Sequence, residues 1–248
     1  MKRVLSLMRQ AVQKYNMINE GDSIGVGVSG GKDSLVLLYA LNRLRGFYPK
    51  KFSIKAISVD IGFENADYSG IRKFCNGENI EFHIEKTVIK QIVFDEMKEK
   101  NPCSMCANLR RGALCSAAVN LGCNTIALGH NRDDANETLL MNLFFNSRIY
   151  SFEPVTIYEN TGLKLIRPLI FVSEGQTNAC AVRYSLPVMP KVCPNDGVSQ
   201  RESIKKLINT MSLHNPDVRT NIFSAICSTD YYKKHENTME NKFYEIYD

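Results

Sequence analysis

Ser23 to Leu38 reads SIGVGVSGGKDSLVLL. Ile24, Val26 and Val28 alternate with small residues, as in a buried strand. Ser29-Gly30-Gly31-Lys32-Asp33-Ser34 interrupts that run, and Leu35, Val36, Leu37 and Leu38 resume at helical spacing. The pattern predicts strand, tight glycine turn, helix. Adjacent glycines let successive backbone N–H groups point the same way, and the positive end of the helix dipole reinforces them. Ser29 and Ser34 add hydroxyl donors, and Lys32 adds a cation. The loop is therefore read as a phosphate-binding nest. It is not a Walker A loop, which needs four residues between its first Gly and its Gly-Lys-Ser/Thr.

Composition sets the frame. A chain of 248 residues can bury a sizeable core, as one large α/β domain or one domain with a small appendage. Hydrophobic content of 44% with 23% charged residues is ordinary for a globular protein. No apolar run approaches the ~18 residues of a membrane-spanning helix. The start, MKRVLSLMRQAVQKYNMI, lacks the long apolar core and small-residue cleavage site of a secretion signal, so a cytoplasmic protein without membrane contact is expected. A net charge of +5 permits nucleic-acid binding without demanding it.

Residues 1–20 read as an N-terminal amphipathic helix, either packing on the nucleotide domain or presenting a basic face to RNA. After the first βα unit, Phe52 to Asp60 reads as the second strand. Ligands of doubly wound sheets bind beyond the carboxyl ends of the strands, so Asp60 is either a nucleotide-site residue or a plain turn residue. Ile80 to Lys86 is the third strand, where His83 reads as a packing residue. Thr125 to His130 is the fourth, ending in Gly129-His130-Asn131-Arg132-Asp133-Asp134. This places Gly129, His130, Arg132 and Asp133 on the same edge as the glycine loop, with Asp133 or Asp134 as a helix N-cap in the alternative reading. Val155–Ile157 and Leu163–Ile166 are β-prone pieces, read as a hairpin or a sheet-edge extension. Ser173 with Glu174 predicts the capped start of a helix to Tyr184. A helix over 197–213 and a short one over 221–226 follow. The expected layout is an N-terminal helix (1–20), an α/β domain of doubly wound, mainly parallel, Rossmann-like type (21–215), and a small helical and polar C-terminal extension (216–248).

Eight cysteines in such a chain do not suggest a disulfide framework. Cys75, Cys115, Cys123 and Cys180 lie among apolar or small neighbours. Cys103, Cys106 and Cys193 lie beside prolines. Cys103 and Cys106 form a C-x-x-C at the start of a predicted helix, where the helix dipole is expected to lower the thiol pKa. A redox dithiol, a zinc site with a further ligand, and an iron–sulfur site completed by Cys193 all remain open on the residues.

Five features together resemble one family. They are SGGKDS at 29–34, PCSMCANLRRG at 102–112, GHNRDD at 129–134, IRPLI at 166–170, and Cys193 followed by Arg201. The set is similar to the tRNA 2-thiocytidine synthetases among the PP-loop ATP pyrophosphatases, and to the related tRNA thiouridine synthetases. The resemblance spans about residues 1–215 and implies the HUP-type PP-loop fold. It implies ATP held by Ser29, Gly30, Gly31, Lys32, Asp33 and Ser34, with Asp60, Gly129, His130, Arg132 and Asp133 around the nucleotide. Lys32, Asp33, Cys103 and Cys106 become the expected catalytic residues. Mg²⁺ is expected on the phosphates, with Asp33 or Asp133 as candidate ligands. A [4Fe-4S] cluster on Cys103, Cys106 and Cys193 is implied, as are tRNA as acceptor and a sulfur donor such as a cysteine desulfurase or sulfide. A homodimer is compatible with it. The RNA surface would draw on Lys2, Arg3, Arg110, Arg111, Arg148, Lys205 and Lys206. The zinc-ribbon cysteines of the thiouridine-54 branch are absent from the sequence. Two other readings stay open: a small-molecule acceptor with the same ATP chemistry, and a nucleotide-binding iron–sulfur sensor without turnover.

Overall fold

A single six-stranded sheet runs in the order β3-β2-β1-β4-β6-β5 in the computed structural model. Residues 1–97, 102–190, 193 and 200–236 are described. The strands are β1 (Asp22–Gly27), β2 (Phe52–Asp60), β3 (Glu81–Lys86), β4 (Thr125–Ala127), β5 (Val155–Tyr158) and β6 (Leu163–Ile166). The first four and β6 are parallel. Only β5 runs antiparallel, pairing with β6 at the edge, so the expected hairpin is also the sheet-edge extension. Chain order reverses at β1, which has β2 on one side and β4 on the other, and such switch points open a crevice at the carboxyl ends. The loops after β1 and β4 meet there.

The helices are α1 (Lys2–Lys14), α2 (Lys32–Leu44), α3 (Ser69–Gly77), α4 (Pro102–Asn120), α5 (Arg132–Asn146), α6 (Glu174–Arg183), α7 (Gln200–His214), α8 (Val218–Cys227) and α9 (Asp230–Lys233). A π-helical turn, Gln91–Glu96, precedes α4. The sheet is covered on both faces. One core joins α1, α2 and α6 to β1, with Met8, Leu37, Leu38 and Leu41 fully buried. On the other face α4 packs Leu114, Ala117 and Ala118 on Ile57 and Ile126. Each fully buried aliphatic side chain contributes about 1.5–3 kcal/mol, so the double cover fixes both faces of the strands.

Three local differences from the sequence reading have simple causes. α1 stops at Lys14 because Asn16 turns with a positive φ of 43°; Met17 and Ile18 are buried from non-helical backbone. α5 is capped by Asn131, not by Asp133 or Asp134. The Asn131 side chain accepts from both of their N–H groups, while Asp134 reaches back to the Asn131 N–H, closing a capping box. His83 sits half-buried on edge strand β3 and pairs with Glu85 at 3.0 Å.

The boundary expected after residue 215 falls in the connection between α7 and α8. Beyond it, Phe223, Ile226 and Tyr232 enter the main core, and the Tyr232 ring packs edge-on to Tyr15 at 6.0 Å. The polar residues 237–248 lie outside the described residues, as do 194–199 at the expected start of α7.

Candidate active site

The glycine loop has the shape its sequence predicts. Gly30 has φ +83°, a conformation that glycine adopts without strain, and Gly31 is the N-cap of α2 in extended conformation. No side chain caps α2, so the first-turn N–H groups of Lys32, Asp33 and Ser34 have no intrahelical acceptor. The hydroxyls are engaged within the loop: Ser34 Oγ accepts from Ser29 N–H and Ser29 Oγ at 3.2 Å and donates to Gly31 O at 2.8 Å. They hold the loop's curvature, while the open N–H groups provide the nest. Met189 closes on Gly30, its N–H donating to Gly30 O at 2.9 Å.

A cavity of about 500 Å³ opens at the switch point. Ser29, Asp33 and Ser34 form one side, and Gly129, His130 and Asp134 stand beside them beyond β4. α4 supplies Ala107, Arg110, Arg111, Leu114 and Cys115, and Arg167 follows β6. Asp33 is held by the Asn131 amide at 3.3 Å and by the Thr177 hydroxyl.

Not every expected residue faces this cavity. Lys32 Nζ turns toward α6, 3.0 Å from Asp33 Oδ2 and 3.0 Å from Glu174 Oε1, and Lys205 joins Glu174 at 2.7 Å. Burial works to lower the Lys32 pKa, but the two carboxylates outweigh it and hold it above its usual range. Asp133 is outside the lining. It is buried, paired with Arg219 of α8, and accepts the Glu174 N–H at 2.7 Å, which ties α5 to α6 and α8. Asp134 takes the cavity position instead. Burial raises its pKa, against the Asn131 N–H and Arg201 that lower it. Arg132 also lies outside the lining, its Nε buried without a hydrogen-bond partner among the described residues. Asp60 caps the turn after β2, accepting from Gly62 N–H at 3.0 Å.

His130 stacks on Phe152 at 4.8 Å, and its Nδ1 accepts from Arg167 Nε at 3.3 Å. Burial, then Arg167, Arg201 and Arg111, push its pKa down to about 3, so the imidazole is neutral. A neutral ring accepting at Nδ1 carries its proton on Nε2.

All eight cysteines are free thiols. Cys103 and Cys106 occupy the first turn of α4, one turn before Arg110 on the cavity wall. Cys106 departs from the low pKa expected at a helix N-terminus. Burial pushes it up, Arg110 opposes that, and the Cys193 and Cys103 thiols push further. Among the described residues no three His, Cys, Asp or Glu side chains are already gathered as a metal site. Cys115 lines the cavity; Cys75, Cys123 and Cys180 are buried. Cys227, which the sequence reading passed over, is half-buried near Tyr15, and burial pushes its thiol pKa up. Arg167 was visible only as part of the IRPLI marker, and Arg110 and Arg111 only as candidate RNA contacts.

The glycine loop with its open N–H groups, the switch-point cavity and the GHNRDD edge together have the layout of a PP-loop α/β protein. A family profile described as a PP-loop domain matches residues 4–191. The tRNA-cytidine(32) 2-sulfurtransferase of Geobacter sulfurreducens is 35% identical over 228 residues, 91% of this chain and 89% of that protein. The enzyme of the same name from Citrifermentans bemidjiense is 34% identical over 227 residues, 90% and 89% of the two chains. The solved U34-tRNA thiolase NcsA from Methanococcus maripaludis, with its [4Fe-4S] cluster, superposes with a TM-score of 0.75 at 26% identity, covering 91% of this chain and 76% of that one. This chain belongs to the PP-loop family, in the branch of the tRNA-cytidine 2-sulfurtransferases. Among the described residues no helix is long and apolar enough to cross a membrane.

Proposed function

We propose that this protein is an ATP-dependent tRNA sulfurtransferase that converts a cytidine to 2-thiocytidine. One observation carries the reading. The SGGKDS loop and the helix bearing Cys103 and Cys106 form two walls of the same cavity. Cys103 and Cys106 are not in the lining themselves but sit one turn before Arg110, and this supports a reading in which activation and sulfur delivery share one site.

The chemistry balances. The pyrimidine O2 attacks the α-phosphorus of ATP, the α–β bridging bond breaks, and pyrophosphate leaves. Sulfide then adds at C2, the C2–O2 bond breaks, and AMP departs with the former carbonyl oxygen. The open N–H groups of Lys32, Asp33 and Ser34 bind pyrophosphate oxygens and stabilise the charge that develops on them. His130 Nε2–H is a fixed donor inside the cavity, and Asp33 faces the same space.

The residues fit the groups this chemistry needs. Asp33 and Asp134 are the cavity carboxylates suited to Mg²⁺, and Asp133, tied to Arg219, is not. Cys103, Cys106 and Cys193 are an all-thiol set, the chemistry of an iron–sulfur site with three protein ligands. These three thiols would hold a [4Fe-4S] cluster, which would supply a site for exogenous sulfide from a desulfurase or from solution.

The test is single-turnover AMP formation by the anaerobically reconstituted protein with ATP, sulfide and unmodified tRNA. The reading expects AMP and thiolated tRNA in equal amounts. AMP formation driven by small metabolites and indifferent to tRNA would move the acceptor to a small molecule. ATP binding without AMP under any condition would make the protein a sensor.

A further inference from the structure

Arg167 is only 7% exposed, yet among the described residues no carboxylate pairs with it. A buried guanidinium without a counter-ion is costly, and proteins rarely keep one idle. Its Nε goes to His130, and its Nη1 to the Glu153 carbonyl and to Thr156 Oγ1 at 3.3 Å. Its face lies 4.9 Å from the Phe152 ring centre. All of these partners are uncharged. The Glu153 carboxylate is committed elsewhere, to Lys234 and His235. Nη2 has no hydrogen-bond partner among the described residues, and the side chain lines the cavity.

Arg111 lines the same cavity and acts electrostatically on both Arg167 and His130. Its own contact is with the neutral Asn108 side chain, at 2.5 Å. The cavity carboxylates do not balance these cations. Asp33 is held by Lys32, Asn131 and Thr177, and Asp134 by Arg201 and the Asn131 N–H. Two guanidiniums and His130 therefore line one cavity, and neither guanidinium has a carboxylate partner among the described residues. An anion there would satisfy all three, and the planar guanidinium matches phosphate oxygens in particular.

We propose that Arg111 and Arg167 form a second anion pocket, separate from the SGGKDS loop, which takes the phosphodiester beside the target base of the RNA. Arg167 follows β6 and the glycine loop follows β1, two strands apart in the sheet. That spacing is roughly 10 Å. It leaves room for the ATP phosphates on the nest and an RNA phosphate at the arginines at the same time. An RNA base reaching such a cavity has to be unstacked, and its backbone then needs an anchor at the cavity wall. The proposal rests on the reading of the acceptor as tRNA.

The experiment compares the full-length wild type, Arg111→Gln and Arg167→Gln. Binding of bulk tRNA is measured across a salt series, and ATP binding by equilibrium dialysis. Each variant should lower the slope of log affinity against log salt by about 0.7–0.9 and weaken tRNA binding roughly three- to tenfold, with ATP affinity unchanged. Should Arg167→Gln not fold, Arg111→Gln, on the exposed side of α4, carries the test by itself. An unchanged tRNA slope overturns the proposal. Lost ATP affinity with the tRNA slope intact also overturns it, and assigns the arginines to the nucleotide. Absence of salt-dependent tRNA binding in the wild type removes the tRNA reading itself, a different result from wild-type binding that the variants retain.

Discussion

Gly129 lies directly against the backbone of Asp33. A Cβ placed on Gly129 would stand 2.9 Å from the Asp33 carbonyl carbon and 2.9 Å from the Ser34 nitrogen. Both atoms are main chain and have no rotamer with which to yield. The end of β4 can approach the first turn of α2 this closely only because residue 129 has no side chain. The contact joins the GHNRDD segment to the SGGKDS loop.

Gly129→Ala should therefore push the first turn of α2 away from β4. Overpacking of this kind costs about 1–3 kcal/mol. We expect a lower thermal midpoint and at least tenfold weaker ATP binding, read by calorimetry and equilibrium dialysis. Gly112→Ala is the control, since nothing lies within 4 Å of a Cβ there.

Asp33→Asn keeps the side-chain shape and removes the charge that faces the cavity. AMP formation should fall about 100-fold or more, as when one electrostatic contact to the reacting phosphates is lost. Stability should change by less than about 1 kcal/mol, because Asn131 and Thr177 can still bond an amide oxygen. Urea unfolding alongside single-turnover kinetics separates the two effects.

Cys103→Ser, Cys106→Ser and Cys193→Ser should each lower iron bound after anaerobic reconstitution from about four per chain toward zero. Cys227→Ser and Cys180→Ser should leave it unchanged. Iron analysis and the visible absorption band report this without any turnover.

The neutral state of His130 predicts a pH dependence. Its folded pKa, about 3, lies below the ordinary value of 6.5. Between those values the unfolded chain takes up a proton that the folded protein refuses, so the stabilisation is full above about pH 6.5 and is lost as pH falls toward 3. At about 1.4 kcal/mol per pKa unit the full loss, reached only near pH 3, is on the order of 5 kcal/mol. His130→Gln should flatten this part of the curve in urea unfolding at stepped pH.

What the sequence made legible was mostly local. Strand, glycine turn and helix at 23–38 follow from short-range pattern, as do the β5–β6 hairpin and the Ser173 cap, whose capping box with Gln176 is present. The placement of motifs at one sheet edge followed from the doubly wound rule. The rest depended on contacts between distant residues. Nothing near Lys32 announces Glu174, 142 positions away, as its partner. Asp133 and Asp134 are adjacent and chemically alike, and it is contacts with distant residues, Arg219 of α8 and the Glu174 N–H of α6, that hold Asp133 away while Asp134 lines the cavity. Arg167 looked like part of a strand-end marker because its lack of a carboxylate partner is a three-dimensional property. The Cys106 thiol rises because burial and neighbouring thiols outweigh Arg110, and burial was not readable from a C-x-x-C.

The central claim is tested most directly by mass spectrometry of tRNA nucleosides from cells with the gene intact, deleted, and restored with the Asp33→Asn variant. The account predicts that 2-thiocytidine disappears on deletion, returns with the wild-type gene and stays absent with the variant. An unchanged set of thionucleosides in the deletion strain would contradict it.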